Sequence, residues 1–261
     1  MRAAIFSDVH GNWDAFRVVL ADCARRAVDE LWCLGDVVGY GAEPSRCAEV
    51  VAALAGALDI PPGLTDDDAR GVLALRGKLR VFVRGNHDAA VCGDAILDRM
   101  NDWAQTAIAW TAGRLSAPTL AFLCHAPLTY GDDKVACVHA SPYEPGRFHY
   151  ITDATVGPAF AAASAALTFF GHTHVPAIWA SGCKAVTRRC ADLVSSEKYL
   201  VNVGSVGQPR DGNARAAYVI YDDAGRGLEY VRVAYDVAAA AAKIRAAGLP
   251  EFLARRLAEG R

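Results

Sequence analysis

No Cys-x-x-Cys pair occurs among the eight cysteines of this 261-residue chain, which removes the commonest signature of a structural zinc site or a dithiol redox centre. Cys23, Cys33, Cys47, Cys92, Cys124 and Cys137 mostly lie in apolar segments, where a reduced thiol behaves as a small core residue. The expectation is reduced, structural thiols in a cytoplasmic protein. Neither sign of charge predominates: 27 Lys and Arg against 29 Asp and Glu leave a net charge of −2. No nucleic-acid polymer and no anionic membrane surface is therefore an expected partner, although bound metals would supply local positive charge for a nucleotide. The longest apolar stretch, near Ala159 to Phe170, is too short to span a bilayer. Met1 to Phe6 runs directly into the first motif, so a removable signal is not expected. Neither an internal repeat nor a dividing linker is visible, and residues 1–261 read as one domain. With 53% hydrophobic and 21% charged residues, a sizeable core is expected and disorder is not.

What the chain does contain is a set of metal-ligand residue types. Asp8-Val9-His10, Gly35-Asp36, Gly85-Asn86-His87-Asp88, Val138-His139 and Gly171-His172-Thr173-His174 hold all but two of the seven histidines. The exceptions, His125 and His149, are expected in packing or surface roles. Carboxylates, imidazoles and an asparagine form a mixed oxygen and nitrogen set, which suits manganese, iron, nickel or zinc better than calcium or magnesium.

The order of elements brings these segments together. Ala3 to Phe6, Leu31 to Leu34 and Leu79 to Val83 read as buried strands. Asn12 to Arg26 and Pro44 to Leu58 read as the helices between them, giving a βαβαβ order and a parallel sheet with right-handed crossovers. In the second half, helices at Asp102 to Leu115 and Ala159 to Ala166 flank the strand Lys134 to Val138. Leu167 to Phe170, Ala177 to Ala180, Tyr199 to Val203, Ala216 to Tyr221 and Leu228 to Val233 follow as strands, the last four expected in a mostly antiparallel second sheet packed on the first. Helices at Val237 to Ala247 and Glu251 to Glu259 close the chain. The stretch Asp59 to Lys78 reads as an elaboration in which Asp66-Asp67-Asp68 starts a solvated helix. Asp14 and Asp22 read as the polar face of the first helix, and Asn12 as its cap.

Each ligand segment follows an apolar strand, and the carboxyl ends of neighbouring strands in an open α/β sheet converge on one crevice. Residues two apart in an extended segment point the same way, so Asp8 with His10, and His172 with His174, are each expected to reach a common centre. Gly35, Gly85 and Gly171 permit close backbone approach there.

This ordered set resembles the calcineurin-like metallophosphoesterase superfamily, within it the small bacterial and archaeal phosphodiesterases of diadenosine-tetraphosphatase-like type. The resemblance runs from Asp8 to His174 and on through Asn202-Val203-Gly204-Ser205-Val206-Gly207-Gln208-Pro209-Arg210. It implies a four-layer α/β/β/α sandwich of two mixed sheets flanked by helices. It also implies two divalent metal ions, manganese first, with iron, nickel or zinc as alternatives. Asp8, His10, Asp36 and His174 would hold one ion; Asp36, Asn86, His139 and His172 would hold the other, about 3.5–4 Å away. A bridging water with its pKa lowered to roughly 7 would attack phosphorus in line. His87 would stabilise the transition state or protonate the leaving oxygen, and Arg210 is a candidate contact to substrate phosphate, or else one half of a structural ion pair.

One departure stands out. Protein phosphatases of the superfamily carry Gly-Asp-x-x-Asp-Arg-Gly, where this chain has Gly35-Asp36-Val37-Val38-Gly39-Tyr40-Gly41. Another group must orient His87, and the phosphate-gripping Arg is missing, which favours small phosphodiesters over phosphoproteins. The alternatives are a nucleotide pyrophosphatase or phosphomonoesterase, including one acting on dinucleoside polyphosphates, and a protein-binding scaffold of the same fold. Tyr143, Phe148 and Tyr150 are candidates for stacking on a base.

Overall fold

The computed structural model describes residues 1–181, 190–193, 197–225 and 227–261. The first half builds β1 (Arg2–Phe6), α1 (Trp13–Arg25), β2 (Glu30–Cys33), α2 (Pro44–Leu54), α3 (Asp66–Leu75) and β3 (Leu79–Phe82). β1 pairs with β2 and β2 with β3, both in parallel, as the βαβαβ order requires. Both faces of β1 are buried, as in sheets covered on two sides. Ala3 and Ile5 point to a core shared with the second sheet, whereas Ala4 and Phe6 point to a core shared with Phe16, Val19 and Leu20 of α1.

The second sheet has the order β4 (Thr129–Gly131), β5 (Val135–Val138), β6 (Leu167–Phe170), β9 (Tyr199–Asn202), β7 (Ala177–Ala180). Its three central strands are parallel and its two edge strands antiparallel, so it is mixed rather than mostly antiparallel. Cys137, Leu167, Phe169 and Val201 face the first sheet. Phe170 and Leu200 face outward onto Ala159 of α7 (Val156–Ala162). Helices, sheet, sheet and helix therefore stack as the expected four-layer α/β/β/α sandwich.

Several expectations need correction. The strands β10 (Ala216–Asp222) and β11 (Gly227–Val233) belong to the first sheet, β10 lying antiparallel to β1 with β8 (Cys190–Asp192) beyond β11. Alternation along β10 suits either sheet, and pairing with β1 is a long-range choice that local pattern does not encode. α2 stops at Leu54 because Gly56, at φ +74, turns the chain away. Asp66 to Asp68 do start a helix, α3, capped by Thr65. Asp14 and Asp22 are buried, not solvated: Lys243 of α8 (Val237–Ala246) reaches Asp14 at 2.7 Å, while Arg26 and the Tyr218 hydroxyl donate to Asp22. No helix among the described residues is long and apolar enough to cross a membrane.

Cys23, Cys33, Cys47 and Cys137 are free and buried as expected, but Cys92 and Cys124 form a disulfide with Cα atoms 5.6 Å apart. It joins the end of α4 (Asn86–Val91) to the last turn of α6 (Ala117–His125). Both cysteines sit in apolar sequence, where a core thiol and a bonded one look alike. The pairing also withdraws the thiol-based argument for a cytoplasmic location.

A non-reducing digest should yield a peptide pair linking residues 92 and 124. The double substitution Cys92→Ser and Cys124→Ser should cost roughly 4 kcal/mol by the chain-entropy argument for a 32-residue separation, read as a lower melting temperature that reductant reproduces in the parent protein. Equal melting temperatures in all four conditions would show that the bridge contributes nothing.

Candidate metal centre

Two loops set the geometry. After β1 the chain runs along the loop after β2: Asp8 N–H donates to Gly35 carbonyl at 3.0 Å, His10 to Asp36 at 2.9 Å and Gly11 to Val37 at 2.9 Å. The backbone there is not extended. Asp8, His10, Asp36, His172 and His174 all have φ between +49° and +64°, a left-handed conformation that costs a non-glycine residue roughly 1–2 kcal/mol. Asp8 and His10 converge through a turn rather than through strand alternation, and so do His172 and His174. Backbone strain concentrated on one site is a recognised mark of function.

The two carboxylates are each divided by a backbone N–H. Asp36 Oδ1 accepts from His87 N–H at 2.8 Å, and Asp8 Oδ2 accepts from His172 N–H at 3.0 Å. The remaining oxygens face the centre. Asp36 Oδ2 stands 3.6 Å from His10 Nε2 and 3.3 Å from His139 Nε2. Asp8 Oδ1 lies 3.2 Å from His174 Nε2 and has no hydrogen-bond partner, although it is buried. A Cβ on Gly85 would collide with Asp36 Oδ1, so only glycine lets α4 approach this carboxylate.

The imidazoles are aimed by carbonyls. His10 Nδ1 donates to Val38 at 3.1 Å, His174 Nδ1 to Gln208 at 2.6 Å and His139 Nδ1 to Leu34 at 2.7 Å. That pattern leaves Nε2 for a metal, as in most protein metal sites. His10 Nε2 and His174 Nε2 are only 3.1 Å apart, and two such lone pairs repel unless a cation lies between them. Burial, with Arg210 nearby, pushes His174 down to about 3; burial, with His139 nearby, does the same to His172. Both are therefore neutral, as ligands must be. Burial would also lower His139, but Asp36 overrides it and lifts the imidazole to about 9: a proton takes the place of a cation. His172 Nε2 is buried and unpartnered, and Asn86 Oδ1 stands 3.2 Å from His139 Nε2.

All seven expected ligand residues are therefore brought together: Asp8, His10 and His174 cluster on one side, Asp36, His139 and His172 on the other, with a third cluster of His10, Asp36 and His87 between them and Asn86 beside His139. The donor set, the orphaned Asp8 oxygen and the orphaned His172 nitrogen all fit divalent metal ions.

His87 lies beside this pair with its ring in the wall of a cleft of about 410 Å³. Among the described residues no carboxylate hydrogen-bonds to its Nδ1. Its Nδ1 faces Gly39 with no partner, Tyr40 packs on it at 4.4 Å between ring centroids, and His10 meets it edge-on at 4.7 Å. Gly39 and Tyr40 thus occupy the two positions where protein phosphatases of the resembled family carry Asp and Arg. Burial is the main cause holding His87 well below its usual pKa, so the ring is neutral.

Arg210 lines the cleft, bonds to Gln208 Oε1 at 2.7 Å and makes no ion pair among the described residues. Asn12 caps α1 as expected, its Oδ1 accepting from Ala15 N–H at 3.1 Å, and its Nδ2 donates to Gly207 carbonyl. His125 is at the surface. His149 lines the cleft mouth, with Tyr143 stacked on it at 5.6 Å. Phe148 is buried, whereas Tyr150 is 54% exposed and stacks on His172 at 4.2 Å.

Sequence reading missed Asp88. Its buried carboxylate accepts from the N–H groups of Asp36, Val37, Val38 and Gly85, and so shapes the loop that presents Asp36. Burial and the Asp36 charge push it up to about 6 while these donors pull it back. Its place directly after Asn86-His87 was the available signal.

Residues 1–224 match the model of the calcineurin-like phosphoesterase superfamily domain. The chain belongs to that superfamily. An uncharacterized protein of Methanocaldococcus jannaschii is 35% identical over 99% of this chain and 98% of its own length. The crystal structure of a metallophosphoesterase from Sphaerobacter thermophilus is 37% identical, covers 100% of this chain and 99% of its own, and superposes with a TM-score of 0.80. A hypothetical protein from Pyrococcus horikoshii, 17% identical with a TM-score of 0.74 over 100% of this chain and 98% of its own, shares the fold. The comparisons are thus with phosphoesterases, and this chain has His and Asp clusters that could hold a metal ion.

Gly39→Ala tests how His87 is held. The added methyl would push on Nδ1, and φ at this position is +88°. Turnover should fall roughly a hundredfold, the usual consequence of an ångström-scale displacement, while metal content measured by mass spectrometry stays at the parent level. Undiminished turnover would show that ring packing against Gly39 does not position His87.

Proposed function

We propose that the protein hydrolyses small phosphodiesters with two divalent metal ions, manganese first among the candidates, nucleotides being one substrate class. Asp8, His10, Asp36 and His174 would hold one ion, and Asp36, Asn86, His139 and His172 the other. The observation that carries this reading is Asp36 Oδ2, placed within 3.6 Å of a nitrogen from each group. When bound, such ions supply Lewis acidity and make water a usable nucleophile at neutral pH.

The chain's own groups do the rest. Backbone N–H groups of His87 and His172 fix the two carboxylates, so little reorganisation is needed as charge develops. His87, neutral in its buried setting, is suited to donate a hydrogen bond to a developing oxyanion rather than to deliver a full proton. Arg210 stands beside His174, its N–H bonded to the His174 carbonyl at 3.2 Å, where a guanidinium reaches phosphoryl oxygens in bidentate fashion. With Gly39 and Tyr40 in place of Asp and Arg, the site lacks the inner grip on a monoester dianion, which supports diesters. A protein-binding scaffold would not need every ligand type intact, and here all seven are present.

Metal-stripped protein given manganese should hydrolyse bis(p-nitrophenyl) phosphate, and Asp36→Ala should abolish both turnover and the uptake of metal. His87→Ala should lower kcat roughly 10²–10³-fold, the loss expected for one oxyanion donor, with metal content retained. Turnover that survives Asp36→Ala, or metal lost in His87→Ala, would overturn these assignments.

A further inference from the structure

Three arginines, Arg99, Arg147 and Arg210, line the cleft, and among the described residues its only carboxylate is Asp36, at the candidate metal centre. Overall composition does not explain this, since acidic residues outnumber basic ones 29 to 27. Several arginines elsewhere find carboxylates, as Arg26 does with Asp22, Arg46 with Glu43, Arg84 with Asp94 and Arg245 with Glu251, while others, such as Arg114 and Arg215, bond to neutral groups instead. None of the three cleft arginines has such a partner among the described residues. Glu144, three residues before Arg147, is engaged instead by His149 at 3.2 Å. Arg210 is satisfied by a neutral amide and lies 5.8 Å over the Tyr40 ring.

The three come from different walls. Arg210 follows β9 and adjoins His174. Arg99 ends the short turn Leu97–Arg99 before α5 (Asp102–Ala112), and Arg147 lies in the loop between β5 and α7. A further guanidinium, Arg256, is pushed down to about 10 by burial and by Arg210; it lies outside the cleft lining, where it bonds to the Arg261 carbonyl and packs over the Phe252 ring. Guanidinium groups facing one pocket without carboxylates form the usual recognition surface for phosphate. One phosphoryl group at the metals, with Arg210 beside it, does not occupy Arg99 and Arg147.

We infer that the substrate carries a second phosphate, on the esterified alcohol and distinct from the group hydrolysed, and that Arg99 and Arg147 hold it at the cleft mouth. This rests on the phosphodiesterase reading, because it places the reacting phosphate at the metal centre. The natural substrate is then a small bisphosphorylated compound, and the second phosphate contributes to binding rather than to the chemical step. These arginines are specificity-determining residues, not catalytic ones.

The test is calorimetric binding to the manganese-loaded protein, comparing thymidine 5′-monophosphate with thymidine 3′,5′-bisphosphate. The bisphosphate should bind at least roughly tenfold more tightly, about what one charge-assisted contact contributes. In the double variant Arg99→Ala and Arg147→Ala, shown folded by circular dichroism, that ratio should fall to about one. Equal affinities in the parent protein, or a preference that survives the double variant, would overturn the inference. Turnover of bis(p-nitrophenyl) phosphate, measured on the same sample, separates the two failures. A bisphosphate preference without diester turnover would remove the phosphodiesterase reading and leave the arginine site standing; turnover without the preference would do the reverse.

Discussion

The structure turns on one carboxylate whose two oxygens have different duties. Asp36 gives Oδ1 to the His87 N–H and keeps Oδ2 for the centre. The first contact docks the start of α4 against the loop after β2 and so places Asn86 and His87 together. The second brings the β1 loop, which carries His10, and the β5 end, which carries His139, to the same point. Asp88 completes the arrangement by gathering four N–H groups of the two loops. Three strands and one helix are thereby fixed relative to a single side chain.

Such a centre opposes folding unless something offsets it. Five ligand residues adopt the left-handed conformation, and acceptors face one another at 3.1–3.7 Å with buried atoms left unpartnered. In the absence of metal, the proton that Asp36 draws onto His139 relieves part of this repulsion. Any ion that binds the folded state and not the unfolded one stabilises it by mass action. The strain and the crowded acceptors then become a preference for the loaded protein. The surrounding core makes this tolerable, since both faces of β1 are buried and the loops grow from its rigid end.

Much of this was legible because the ligands end strands. Apolar runs such as Ala3–Phe6 and Leu167–Phe170 mark where the chain is extended and buried, and the next polar residue falls at the carboxyl edge whatever the turn's details. The turn itself was not legible. Asp8 and His10 look like an alternating pair in sequence, yet they converge through left-handed backbone. Asp88 drew no role of its own within its motif because its partners are main-chain N–H groups, which leave no trace in side-chain pattern. Asp14 and Asp22 looked solvated because Lys243 and Tyr218, which cover them, lie about two hundred residues away. The sheet membership of β10 and β11 and the bond between Cys92 and Cys124 are likewise tertiary choices. Each depends on what meets a segment rather than on the segment.

The replacement of Asp and Arg by Gly39 and Tyr40 links the missing residues to the new ones. An Asp beside His87 would both orient the ring and raise its basicity; Gly39 does neither, but it admits the ring closely enough that Tyr40 and His10 fix it by packing. An Arg at position 40 would hold positive charge against the metals and compete with them for the reacting phosphate. With Tyr40 there, the guanidinium beside the candidate metal centre is that of Arg210, set over the Tyr40 ring and bonded to the Gln208 amide. Further positive charge lines the cleft on Arg99 and Arg147. Charge drawn away from the reacting group and toward the cleft mouth discriminates among substrates by what they carry beyond the scissile bond. A site arranged this way selects its substrate through binding at the mouth and leaves the chemistry to the centre.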